Sequence, residues 1–213
     1  MTQEDQSFSR KGFLHQFGGL FKKGLVNHVD RKIAKTLKGP LRPPGALDEV
    51  EFLSTCTRCS KCVTACPYGV ILRQPLDSGL GANTPFINPD GQACRLCVDF
   101  PCISACEDRA LLPVASPRQV SMGKALIQTD TCNTYKGKVC TLCYDACPFP
   151  EQALTLDADF HPKILDACTG CGACQQRCPT HPVGVKVMSH VSYRAHQLEE
   201  ETYFGFLSKE KKE

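Results

Sequence analysis

Residues 168–179 read Cys-Thr-Gly-Cys-Gly-Ala-Cys-Gln-Gln-Arg-Cys-Pro, a C-x2-C-x2-C-x3-C-P string. Three cysteines in tight succession can cap three irons of one [4Fe–4S] cubane. The fourth, three residues on, ligates the other cluster in two-cluster proteins. Gly170 and Gly172 have no Cβ, so the backbone can wrap closely and turn its N–H groups toward sulfur. Pro179 stops the short helical turn that follows. The same string occurs at Cys56, Cys59, Cys62, Cys66 and Pro67.

Two looser groups lie between them. Cys94, Cys97, Cys102 and Cys106 have four residues, Pro101 among them, between the second and third cysteines, and Glu107 stands where the proline would be. Cys132 precedes Cys140 by seven intervening residues, after which Cys143, Cys147 and Pro148 keep the usual spacing. The four groups use all 16 cysteines of the 213-residue chain, and all are expected to be cluster ligands. Looser loops change solvent exposure and N–H···S bonding, two levers on reduction potential.

Cysteine makes up about 7.5% of the chain, near the level of a cysteine-built scaffold. A disulfide framework suits small secreted chains, and no standard secretory signal is legible here. Structural zinc prefers two separated C-x2-C pairs to three cysteines in a row. Iron–sulfur clusters are the reading that fits all four groups. With no tryptophan and few aromatics, the clusters must serve as much of the core.

The first cysteines of the groups, Cys56, Cys94, Cys132 and Cys168, are 38, 38 and 36 residues apart, which is a fourfold internal repeat. Short apolar stretches precede the later groups at 85–87, 125–127 and 163–165, and others follow the groups at 69–72, 110–112, 153–156 and 183–188. Strand, cysteine turn, short helix and strand form a ferredoxin half-module. Four halves predict an α+β fold of two bacterial-ferredoxin-like units, with small antiparallel hairpins and short helices around clusters. The expected organisation is an arm and linker over 1–45, a four-cluster body over 46–192, and a tail over 193–213.

The formal net charge is +3, but sixteen thiolates around four clusters bring the loaded chain to about −5. Residues 1–45 carry nine Lys/Arg against three Asp/Glu. Within them Ser9-Arg10-Lys11-Gly12-Phe13-Leu14 approaches a twin-arginine export motif, with Lys11 in place of the second arginine, but no apolar stretch or small-residue cleavage site follows. Phe13, Phe17, Phe21, Leu25, Val29, Ile33 and Leu37 drift along one side of an expected helix. Packing on the body or a partner is its first reading. Peripheral membrane contact is the second and export the third. Arg42-Pro43-Pro44-Gly45 reads as a stiff linker closing the arm. No nucleic-acid recognition motif accompanies the basic charge. No C-x2-C-H haem motif, Walker loop or G-x-G-x-x-G fingerprint is present, so no small-molecule substrate is expected. His181 follows Cys178 closely and reads as an ordinary loop residue, with cluster tuning as the alternative. The tail segment Tyr203-Phe204-Gly205-Phe206-Leu207 reads as an aromatic docking patch.

From Leu41 onward the chain resembles the NapG/MauM ferredoxin-type family, the four-cluster proteins of periplasmic nitrate reductase and methylamine utilisation systems. The residues that carry this are Leu41-Arg42-Pro43-Pro44-Gly45-Ala46, Ser78-Gly79-Leu80 with Thr84-Pro85, the Cys94–Cys106 group, Cys140-Thr141-Leu142-Cys143-Tyr144, and Asp166 to Gly172. The resemblance implies a nested pairing of groups. One cluster would use Cys56, Cys59, Cys62 and Cys178, and its mate Cys168, Cys171, Cys174 and Cys66. The inner clusters would use Cys94, Cys97, Cys102 and Cys147, and Cys132, Cys140, Cys143 and Cys106. Sequential pairing, first with second and third with fourth, is the rival.

The expected function is that of a polyferredoxin with four [4Fe–4S] clusters, relaying single electrons and catalysing no substrate chemistry of its own. It would serve as a subunit of a larger cytoplasmic oxidoreductase, peripheral on the inner membrane if the arm binds there. The alternative is a NapG-like part of a membrane quinol dehydrogenase, beside a membrane iron–sulfur protein, made periplasmic by the degenerate arginine motif. The remaining class is a metal-stabilised interaction module without redox turnover.

Overall fold

The computed structural model describes residues 39–198. The expected helical arm, its arginine motif and the aromatic tail segment lie outside the described residues. Residues 39–193 make one compact unit. Its elements in order are α1 (Glu49–Thr55), α2 (Lys61–Ala65), β1 (Ile71–Arg73), β2 (Pro85–Ile87), α3 (Pro101–Ser104), β3 (Gly123–Ile127), α4 (Leu142–Asp145), β4 (Leu154–Leu156), β5 (Pro162–Ile164), α5 (Ala173–Arg177) and β6 (Val185–Ser189). Short helices and two-stranded antiparallel sheets agree with a ferredoxin-like α+β fold. Among the described residues no helix is long and apolar enough to cross a membrane.

The strands fall on the apolar stretches expected to flank the cysteine groups. β1 pairs with β2 through Leu72 opposite Phe86, and β4 pairs with β5 through Thr155 opposite Lys163. Each of these hairpins joins two neighbouring cysteine groups. β3 pairs with β6 over five residues, from Gly123 opposite Ser189 to Ile127 opposite Val185, and so brackets the third and fourth groups. A smaller bracket encloses the first and second: Ala46 bridges Leu111, with Leu47 N–H donating to the Ala110 carbonyl at 3.1 Å and Leu112 N–H to Gly45 at 2.7 Å. The body therefore has two successive halves, each closed on itself.

Residues 39–45, which include the Arg42–Gly45 stretch expected as a stiff linker, belong to the compact unit. Pro43 and Pro44 are fully buried and Arg42 is buried too. The Arg42 guanidinium meets Glu49 on α1 with bonds of 2.9 and 2.6 Å, and donates to Thr84 Oγ1 at 2.8 Å and the Pro85 carbonyl at 2.7 Å. It also lies 4.5 Å above the ring of Phe52, which is completely buried. Five donors on one planar head can satisfy such a cage, which lysine cannot.

The two halves meet where residues 89–94 face 171–176. Cys94 N–H donates to the Cys171 carbonyl at 2.9 Å. The buried Gln175 donates to Asp90 at 2.5 Å and accepts from Val187 N–H at 2.6 Å, linking the first half to β6. Gly170, at φ +72, is pressed on the Gly123 backbone so closely that a Cβ would sit 2.6 Å from its nitrogen.

Two outcomes follow. Arg42→Ala strands Glu49 in the interior and should cost about 3–5 kcal/mol. Thermal unfolding of the loaded protein, followed by loss of visible absorbance, should show a large drop for it and none for Lys61→Ala at the exposed Lys61–Glu107 pair. Gly170→Ala adds a left-handed strain and a backbone clash, and should lower stability by at least about 2 kcal/mol in the same assay.

Candidate metal centre

Each cysteine group is built on one helical turn. In three groups the residue before the turn is left-handed: Ser60 at φ 64, Phe100 at φ 41 and Gly172 at φ 90. That kink takes the chain out of the cysteine loop and into the helix. The third cysteine of each group lies on the helix, and the fourth follows its end: Cys62 and Cys66 around α2, Cys102 and Cys106 around α3, Cys143 and Cys147 around α4, Cys174 and Cys178 around α5. Pro67, Pro148 and Pro179 follow three of these fourth cysteines and prevent continuation of the helix.

The helices pack in sequential pairs, α2 with α3 and α4 with α5. Four cavities result, each lined by four cysteines. Site I holds Cys56, Cys59, Cys62 and Cys106. Site II holds Cys66, Cys94, Cys97 and Cys102. Site III holds Cys147, Cys168, Cys171 and Cys174. Site IV holds Cys132, Cys140, Cys143 and Cys178. The four cavities are of near-equal size. All sixcteen cysteines that the sequence singled out line one of these sites.

The cavities group the cysteines otherwise than the nested pairing that the family resemblance implies. Cys106, not Cys178, joins Cys56, Cys59 and Cys62, and Cys66, not Cys147, joins Cys94, Cys97 and Cys102. In the second half Cys147, not Cys66, joins the Cys168 trio, and Cys178, not Cys106, joins the Cys132 trio. The reason is the local hairpins: β1–β2 and β4–β5 fold adjacent groups onto each other, so each closing loop is short.

The sites follow one another as neighbours. Sites I and II share α2 and α3, since each helix supplies one cysteine to either site. Sites III and IV share α4 and α5 in the same way. Sites II and III meet through the Cys94 N–H to Cys171 carbonyl bond. The spatial order of the groups is thus first, second, fourth, third. Cys59 of site I is the one exposed cysteine.

The donor chemistry fits an iron–sulfur cluster. None of the sixteen thiols is bridged. Burial pushes Cys62, Cys94 and Cys143 up to about 11 and Cys102 to about 12, and neighbouring thiolates add to each. Burial holds Cys174 well above the ordinary value as well. Four such sulfurs become thiolates together only around a cationic centre. Backbone N–H groups are already turned toward sulfur, Leu111 to Cys106 at 3.4 Å and Gly184 to Cys178 at 3.1 Å.

The irregular groups have structural explanations. Glu107 pairs with Lys61 on α2 at 2.6 Å, and Asp108 accepts from Thr57 at 2.6 Å, so both fasten the end of the second group across site I. The extra residues between Cys97 and Cys102 bring Phe100 into the core, 5% exposed. The long Cys132–Cys140 loop makes a 3-10 turn at Thr134–Lys136. Sequence reasoning missed two hydroxyls beside sulfur: on this loop Thr134 Oγ1 lies 3.3 Å from Cys132 Sγ, and after the fourth group Thr180 Oγ1 lies 3.3 Å from Cys178 Sγ. A Cys-x-Thr spacing in both places was the signal. The residue bonded to Cys178 from its loop is Thr180, and no bond from His181 to sulfur is present among the described contacts. Burial raises the Cys178 thiol, yet the hydroxyl and amide of Thr180 with the amides of Gly184 and Val185 outweigh it and hold it below the ordinary value.

Comparison with known proteins agrees with this chemistry. The family description "4Fe-4S binding domain" matches residues 53–71 and again 161–183. The chain is 36% identical to the ferredoxin-type protein NapG of Escherichia coli (strain K12) over 203 residues, covering 89% of this chain and 87% of that protein. It is 36% identical to the methylamine utilization ferredoxin-type protein MauM of Methylorubrum extorquens over 158 residues, 70% of this chain and 72% of that one. No solved structure matches it. Cysteine quartets in helix-paired cavities, with relatives aligned along most of the chain, make this a ferredoxin-type electron-transfer protein of the NapG/MauM family.

Proposed function

We propose that the chain carries four [4Fe–4S] clusters, one in each of sites I to IV, and relays single electrons between two protein partners. The observation that carries this is the unbroken succession of four equivalent cysteine quartets. When bound, the clusters supply one-electron redox chemistry without bond making. The chain's own residues do the rest. α2, α3, α4 and α5 hold neighbouring quartets at fixed spacing, and the Cys94–Cys171 backbone bond joins the two halves. Aliphatic side chains such as Val70, Ile71, Leu154 and Val185 keep water from the sulfur. The outer sites, I and IV, are the natural points of exchange with partners, because II and III lie between them.

The partners are a catalytic oxidoreductase subunit at one end and a membrane iron–sulfur protein or another donor at the other. Lys11 in place of an arginine supports a cytoplasmic subunit of a larger oxidoreductase. A NapG-like role beside a membrane quinol dehydrogenase is favoured by an alignment that covers 89% of the chain. Protease treatment of intact spheroplasts separates the two. The cytoplasmic reading expects full protection, and the second expects digestion together with a shortened N-terminus.

Paired substitutions test the quartets. Cys59→Ala with Cys106→Ala removes two ligands of one site, so the double variant should lose no more iron than either single change, about a quarter of the total. Cys59→Ala with Cys178→Ala damages two sites and should lose about half. Iron and sulfide analysis after anaerobic purification reads the difference. The reverse pattern would restore the nested grouping.

A further inference from the structure

The fourfold repeat provides its own control for the groups that surround each sulfur. Two residues after the first cysteine of the four groups stand Arg58, Leu96, Thr134 and Gly170. Two residues after the last cysteine stand Tyr68, Asp108, Phe149 and Thr180. Both threonines belong to site IV. One serves Cys132 at the start of the third group and the other Cys178 at the end of the fourth, so they approach the same quartet from separate strands of chain. Each hydroxyl is 3.3 Å from its sulfur. Thr134 is 6% exposed, so little water competes for its hydrogen bond. At the adjoining site III one hydroxyl, that of the buried Thr169, acts on Cys171 and opposes the larger effect of burial. Among the described residues no hydroxyl-to-sulfur bond is recorded at sites I or II.

A metal-bound thiolate carries no proton, so the threonine must be the donor in each pair. A hydrogen bond to a ligand sulfur withdraws charge from it and favours the more negative, reduced state of the cluster. Two such bonds act on site IV in addition to the Gly184 N–H bond to Cys178 at 3.1 Å. We propose that Thr134 and Thr180 are positioning residues for electron transfer, whose hydroxyls raise the reduction potential of site IV above the other three and make it the electron-collecting end of the line. One electron would pass from site III, oxidised by one equivalent, to site IV, reduced by one; no bond forms or breaks, and each hydroxyl proton stays on its oxygen. This rests on the assignment of Cys132, Cys140, Cys143 and Cys178 to one cluster.

The test uses the full-length, anaerobically purified loaded protein. Potentiometric titration followed by electron paramagnetic resonance compares wild type with Thr134→Val, Thr180→Val and the double variant. One of four midpoints should move to lower potential, further in the double variant than in either single one, and in wild type it should be the highest. Thr→Ser at both positions should return it toward the wild-type value. The Fe–S(Cys) stretching bands in resonance Raman spectra should move up in the valine variants and not in the serine variants. Unchanged midpoints with four clusters retained, or a movement of all four together, overturns the proposal, as does a shifted midpoint that is not the highest. If the double variant loses its cluster, Thr180→Ala and Thr134→Ser decide: the first must lower the midpoint and the second must leave it. The underlying assignment fails separately, if Cys178→Ser leaves intact the very signal that the threonine variants move.

Discussion

The constraint on which the structure depends is the four-residue step across a single helical turn. A cysteine on the turn faces one cavity, and the cysteine that closes it reaches the next. Because each helix serves two sites, no site can be built from one group alone. Pairs of helices must exchange their last cysteines, Cys66 for Cys106 and Cys147 for Cys178. The hairpins β1–β2 and β4–β5 bring the pairs together, and the β3–β6 ladder and the Ala46–Leu111 bridge close each half around them.

This arrangement also sets how the molecule is held together. The elements that build the sites are short, with four to seven residues in each of α1 to α5 and three to five in each of β1 to β6. Such elements are marginal without tertiary support. The apolar core is distributed around the sulfur-lined cavities, and burial alone makes the thiols resist ionisation. A cationic cluster turns that resistance into cohesion, since it binds only the folded arrangement of ligands. Protein-only contacts concentrate where the halves and residues 39–45 must be fixed: the Arg42 cage over Phe52, and the Gln175–Asp90 contact at the junction.

Much of the site was legible in the sequence because cluster ligation demands fixed spacing. All sixteen cysteines, the fourfold repeat and the apolar stretches at 85–87, 125–127 and 163–165, on which β2, β3 and β5 fall, could be read directly. What could not be read was the exchange partner of each group. Cys66, Cys106, Cys147 and Cys178 have the same local setting, and only the hairpins decide which neighbour receives them. The reading of Arg42-Pro43-Pro44-Gly45 as a stiff linker rests on a similarly local signal. Two prolines and a charge signal a turn, but here all three side chains are buried, and Glu49 on α1 pairs with the arginine. The threonines escaped notice because a hydroxyl near sulfur matters only once its own loop has placed it, the Cys132–Cys140 loop for Thr134 and the segment after Cys178 for Thr180.

The central claim is that adjacent groups share clusters and that the resulting four sites stand in one line. Anomalous scattering at the iron edge, from crystals of the anaerobically purified protein, tests it most directly. The account predicts four iron groups in a row, with Cys106 bound beside Cys56 at one end and Cys178 beside Cys132 at the other. Cys178 bound beside Cys56, or a branched arrangement in which the Cys94 and Cys168 sites are not neighbours, would contradict it.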